Sequence, residues 1–102
     1  MSLKKQFLKS RPVCKVTFTV PADRLQGGKE VSVLGDFNDW DPEGYHMRKL
    51  KDGSFTKTVE LGCDREYQFR YLVDGTTWIN DDEPDGLVYS GVAAEHNGIV
   101  KV

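Results

Sequence analysis

Cysteine is scarce in this sequence of 102 residues. The two cysteines, Cys14 and Cys63, are too few for a disulfide framework and lack the paired spacing of a zinc site. We expect both thiols to be reduced, and Cys14 to be a small buried side chain, because it continues an apolar alternation along the chain. The sequence predicts no metal site and no cofactor.

Long hydrophobic runs are also missing. No stretch approaches the apolar length of a membrane span, so no membrane partner is expected. Residues 1–12 are basic, and their few large apolar side chains fall short of the hydrophobic region of a secretory signal. We therefore expect a cytoplasmic protein with a basic N-terminal arm at 1–12 and a single domain at 13–102.

The charge balance is nearly neutral. A net charge of -2 and an isoelectric point near 5.6 argue against a general affinity for nucleic acid or anionic membranes. Hydrophobic residues at 38% and aromatic residues at 11% indicate a folded chain with a modest core.

The sequence has almost no helical periodicity, and apolar and polar residues alternate with a period of two instead. Val16, Phe18 and Val20 alternate with polar residues, and the run from Tyr67 to Val73 places its aromatic residues on one side. Turn signals close each run. About seven short strands spaced in this way predict an all-β fold, an immunoglobulin-like antiparallel β-sandwich.

The turn at residues 74–75 determines which face of the sheet carries Trp78. A two-residue loop would pair Tyr71 with Trp78 and direct the indole into the core, whereas a three-residue loop at 73–75 would pair Arg70 with Trp78 on the outer face. We favour the longer loop, because a tryptophan opposite Tyr71 would crowd a face that is already bulky.

Four sequence features together resemble the family 48 carbohydrate-binding modules. The features are Gly35-Asp36-Phe37-Asn38-Asp39-Trp40, Tyr67-Gln68-Phe69-Arg70-Tyr71-Leu72-Val73-Asp74-Gly75, Trp78, and Asn97 before a β-like end. The family includes early-set domains of branching enzymes and isoamylases and the glycogen-binding domain of the AMP-activated kinase β subunit. The resemblance extends from residue 13 to residue 102 and implies a free-standing, non-catalytic module.

The resemblance also implies the site and its ligand. In members that bind glycogen, two tryptophans form the sugar platform, beside a basic residue and an asparagine. The resemblance implies that Trp40 and Trp78 are these tryptophans, Arg70 the basic residue and Asn97 the asparagine. The implied partner is an α-1,4-glucan such as glycogen, starch or a malto-oligosaccharide, with a glycogen-metabolising enzyme as a second candidate partner. The chain departs from kinase-type domains by having arginine in place of lysine, Trp78 one residue later, and alanine and glutamate at residues 93 and 95.

Two other classes of function compete with sugar binding. A module of the same fold could have lost sugar binding and serve protein interaction or packing, with Trp40 capping the edge of the sandwich and Asn97 acting as a turn residue. A glycosidase would need two carboxylates at a defined separation. The acidic residues Asp81, Asp82, Glu83 and Asp85 are more typical of a solvated loop, and no nucleophile accompanies either histidine, so we expect no catalytic residue.

Overall fold

The chain folds into two antiparallel β-sheets. The computed structural model describes residues 3–25, 27–41, 43–81, 83–89 and 96–102. The strands within these ranges are β1 Leu3–Phe7, β2 Val13–Val20, β3 Val31–Gly35, β4 Tyr45–His46, β5 Arg48–Lys49, β6 Phe55–Gly62, β7 Glu66–Val73, β8 Thr77–Ile79, β9 Gly86–Tyr89 and β10 His96–Lys101. A short 3₁₀ turn at Ala22–Arg24 is the one helical segment in the described part of the chain.

The first sheet has the strand order β1-β2-β6-β5, and the second has the order β4-β3-β7-β10-β9, with β8 paired to β7. The prediction of an all-β, antiparallel sandwich is confirmed. Among the described residues, no helix has the length and apolar character needed to cross a membrane.

The core lies between the sheets and is centred on Phe18 of β2. Its ring centroid is 5.1 Å from that of Phe69 and 6.5 Å from that of Tyr71, both on β7. Burial alternates along β2, where Cys14 is fully buried, as its place in the alternation predicted. Burial also raises the pKa of the Cys14 thiol, which disfavours the reactive thiolate.

The strand pattern of the structure differs from the expected one near the N-terminus. Residues 3–7, inside the interval expected to be a basic arm, form strand β1, which pairs with β2 and places Leu3 in the core. Residues 45–46 and 48–49 form the short strands β4 and β5, which belong to different sheets. Leu72 points to the outer face of its sheet, as the alternation predicts, and is only 6% exposed because Trp78 lies directly opposite it.

Some expectations fall outside the described residues. Asp82 of the acidic loop and the departures from the kinase-type pattern at residues 93 and 95 are among them. The division of the chain into an arm and a domain stays a prediction.

Candidate functional site

The loop after β3 folds back over the outer face of the second sheet. The Asn38 side chain holds this shape, since its Oδ1 accepts a hydrogen bond from the Gly35 N–H at 3.0 Å and its Nδ2 donates to the Val33 carbonyl at 3.1 Å. Asp39 and Trp40 both adopt left-handed backbone conformations, with φ of 56° and 57°. Such conformations are unfavourable for residues other than glycine, and they concentrate at functional sites.

Two side chains fasten this loop to the sandwich. Phe37 enters the core, with its ring centroid 5.7 Å from that of Phe18. The Asp36 carboxylate accepts hydrogen bonds from the Trp40 indole Nε1 at 3.0 Å and from the Gln68 backbone N–H at 2.9 Å. The indole of Trp40 is therefore held by the same carboxylate that binds the loop to β7.

The hairpin between β7 and β8 presents Trp78 on the same outer face, in a register that differs from both of those expected from the sequence. Leu72, and neither Arg70 nor Tyr71, lies opposite Trp78, because Val73 pairs with Thr77 and the three-residue loop is 74–76. The predicted Arg70–Trp78 pairing is therefore wrong. The shift is an even number of positions, so the indole still points to the face that carries Arg70.

Asp74 explains this register. Asp74 and Gly75 both have left-handed backbones, with φ of 53° and 71°, and the Thr76 N–H donates to the Val73 carbonyl at 3.1 Å. These are the features of a tight type I′ turn, which leaves Thr76 as an extra residue in the ladder. The Asp74 carboxylate accepts the backbone N–H groups of Glu30 and Lys29, and these hydrogen bonds lower its pKa.

Trp40 and Trp78 lie side by side. Their ring centroids are 6.4 Å apart, and the ring planes are inclined by 55°. Trp78 is 43% exposed and Trp40 is half-buried, so neither ring is enclosed by the interior. The guanidinium carbon of Arg70 lies 5.9 Å from the Trp78 ring centroid. These three side chains form a surface that we call the tryptophan platform.

Amide groups border the platform on the β10 side. Asn97 is half-buried and donates from Nδ2 to the Gln68 Oε1 at 2.9 Å, so the structure ties it to β7 through Gln68. Asn80 accepts from the Arg70 Nε at 3.3 Å and donates to the His96 carbonyl at 2.9 Å. Asn80 was not among the site residues expected from the sequence, although its position two residues after Trp78 places it on the same face.

The acidic residues near the hairpin have structural partners. The buried Asp81 carboxylate accepts a hydrogen bond from the Tyr71 hydroxyl at 2.6 Å and another from the Glu83 N–H at 2.8 Å. Among the described residues, no group of three or more histidine, cysteine, aspartate or glutamate side chains is arranged to hold a metal ion.

Comparison with known protein families identifies a relationship. The sequence matches the family described as the glycogen recognition site of AMP-activated protein kinase over residues 23–97, well over half of the chain. The matched interval includes Trp40, Arg70, Trp78 and Asn97. No curated protein matches the sequence. The chain therefore belongs to the family of carbohydrate-binding modules that contains the glycogen recognition site of AMP-activated protein kinase.

Proposed function

We propose that the chain binds α-1,4-linked glucan chains without catalysing their cleavage, and that the tryptophan platform is the contact surface. Membership of a glycogen-recognition family supports glycogen binding in general. The observation that carries the finer proposal is the pair of indole rings, 6.4 Å apart and inclined by 55°, next to the Arg70 guanidinium.

The chemistry of the platform suits a pyranose. A pyranose has apolar C–H faces and a rim of hydroxyl groups, so it gains hydrophobic and dispersion energy on an aromatic ring while its rim seeks hydrogen bonds. The guanidinium of Arg70 and the amides of Asn80 and Asn97 lie at the border of the rings and supply polar groups for that rim.

The inclination of the rings favours a curved ligand. Two coplanar rings would support a flat, extended polysaccharide, whereas planes that meet at 55° fit successive sugars of a chain that bends, as an α-1,4-glucan does. Each ring contributes at most a few kcal/mol, and part of this is spent on ordering the chain. We therefore expect dissociation constants in the micromolar to millimolar range, roughly 4–8 kcal/mol of binding free energy.

The experiment that tests this proposal is native gel electrophoresis with and without glycogen in the gel, followed by calorimetric titration with malto-oligosaccharides. We expect glycogen to retard the protein and cellulose-type oligosaccharides to leave the calorimetric signal flat. Incubation with glycogen should release no reducing sugar. Unretarded migration together with no heat of binding would refute sugar binding, and release of reducing sugar by the pure protein would refute the non-catalytic assignment.

A further inference from the structure

A cavity lies beside the tryptophan platform, on the side away from Asn97. Its volume is about 270 Å³, and it is lined by Glu30, Ser32, Glu43, His46, Leu72 and Gly75.

The register of the second sheet places the cavity next to Trp78. Trp78 is opposite Leu72, Leu72 is opposite Ser32, and Ser32 is opposite His46. These four residues form one row across β8, β7, β3 and β4, all on the outer face. Since neighbouring strands are ~4.8 Å apart, the row extends roughly 14 Å from the indole to His46. A chain that rests on Trp78 and continues along this row passes over the cavity.

The floor of the cavity consists of an apolar side chain and a pair of polar side chains that contact each other. Leu72 is only 6% exposed and provides an apolar base. Ser32 is also 6% exposed, and its hydroxyl lies 3.0 Å from the Nδ1 of His46. This pairing fixes the imidazole ring at the far end of the row.

The walls carry two acceptors that the fold does not use. Glu30 and Glu43 are exposed, and within the described part of the chain neither carboxylate has a hydrogen-bond or ion-pair partner. The backbone around each is held by other groups, because the Glu43 N–H donates to the Asp41 carboxylate and the Glu30 N–H donates to the Asp74 carboxylate. The two side chains can therefore turn toward a ligand without loss of structure.

The two sides of the platform are complementary in hydrogen bonding. Arg70 on the β10 side presents donors, whereas Glu30 and Glu43 present acceptors on the β4 side. Every hydroxyl group of a sugar can both donate and accept, and a carboxylate forms strong hydrogen bonds with hydroxyl donors.

We propose that this cavity is an extension subsite that holds the sugar unit next to the one on Trp78, with the carboxylates of Glu43 and Glu30 accepting hydrogen bonds from its hydroxyl groups. The inference rests on the proposed function. It adds a requirement on length: a chain that covers only the platform leaves the subsite empty, and a longer chain fills it.

The test is calorimetric titration of malto-oligosaccharides from two to seven sugar units into the parent, Glu43→Ala, Glu30→Ala and the control Glu60→Ala. Glu60 lies on the other sheet and is paired with Arg11 at the surface, so its removal should change little. We expect each subsite variant to bind the seven-unit chain about fivefold more weakly than the parent, the effect of one exposed hydrogen bond. For the two-unit chain, which covers only the two rings, the same variants should differ from the parent by less than about twofold.

The outcomes separate the two proposals. If the parent binds no chain of any length, the proposed function fails and the subsite fails with it. If the parent binds and both subsite variants follow Glu60→Ala at every length, the subsite is refuted while the platform stands. An equal loss at all lengths also refutes the subsite, because the carboxylates would then act on the platform itself. Thermal unfolding of each variant checks that the fold is retained, and two variants on separate segments keep the test valid if one of them unfolds.

Discussion

Replacement of Trp78 by alanine should weaken glucan binding by a calculable amount. The side chain is 43% exposed, which for an aromatic residue of roughly 200 Å² leaves about 90 Å² open to a ligand. If a pyranose covers about half of this area, and an equal area of the sugar is buried, about 90 Å² leaves contact with water and the gain at ~25 cal/mol per Å² is about 2 kcal/mol. The dissociation constant for a malto-oligosaccharide should therefore rise about thirtyfold.

The same substitution has a structural effect that must be separated from the loss of the sugar contact. Leu72 lies opposite Trp78 and is nearly buried, so removal of the indole uncovers it. We expect Trp78→Ala to lower the free energy of unfolding by about 1–2 kcal/mol. Trp78→Leu keeps an apolar cover over Leu72 but has no flat ring, so it should restore stability without restoring affinity.

The assay is calorimetric titration, with urea denaturation of each variant as the stability measurement. Phe7→Ala is a matched control, because Phe7 is an aromatic residue that is 57% exposed on the other sheet. Binding by Trp78→Ala that equals the parent, in a variant that is fully folded, would refute the platform. Full affinity in Trp78→Leu would show that area alone, and not a flat ring, is what the ligand needs.

Two further predictions concern carboxylates that hold the site in place. Asp36→Ala removes the hydrogen-bond acceptor of the Trp40 indole, and should lower the free energy of unfolding by about 1–2 kcal/mol. It should also weaken the retardation of the protein by glycogen, and Asp36→Asn should have an intermediate effect. Unchanged retardation of Asp36→Ala would show that Trp40 does not need this hydrogen bond for binding. Hydrogen bonds from the backbone of Glu30 and Lys29 lower the pKa of Asp74 in the folded protein. The Asp74 carboxylate therefore stabilises the fold at pH values above its unfolded pKa of about 4, and this stabilisation is lost as the pH falls through its lower folded pKa. The parent should lose stability more steeply than Asp74→Asn below about pH 4 in urea denaturation, and parallel curves would contradict this.

The strands could be predicted because the alternation of apolar and polar residues that marks a strand lies within the strand itself. Val16, Phe18 and Val20 are buried in the structure, and so are Phe69 and Tyr71, where the alternation placed them. A period of two needs only the residues of one strand to be recognised, and burial of one face fixes which residues point inward.

The features that were missed depend on contacts between distant parts of the chain. Strand β1 has the sequence Leu-Lys-Lys-Gln-Phe, in which only Leu3 is buried, so nothing in the segment itself marks it as a strand. The hairpin register depends on hydrogen bonds between the Asp74 carboxylate and the backbone N–H groups of residues 29–30, more than forty residues earlier in the sequence. The motif placed Trp40 and Trp78 on one surface by resemblance, but their inclination and the role of Asn80 required coordinates.

The hydrogen bond from the Trp40 indole N–H to Asp36 has a consequence for ligand discrimination. Because that N–H is already committed to a carboxylate of the protein, Trp40 has no donor left for a ligand hydroxyl. The Trp40 ring can therefore contact a sugar only through the shape of the sugar's apolar face, and epimers with the same apolar face should bind to this ring equally well. Selection among hexoses must then come from the groups around the rings, and exchanging those groups offers a route to altered sugar preference with the aromatic pair left untouched.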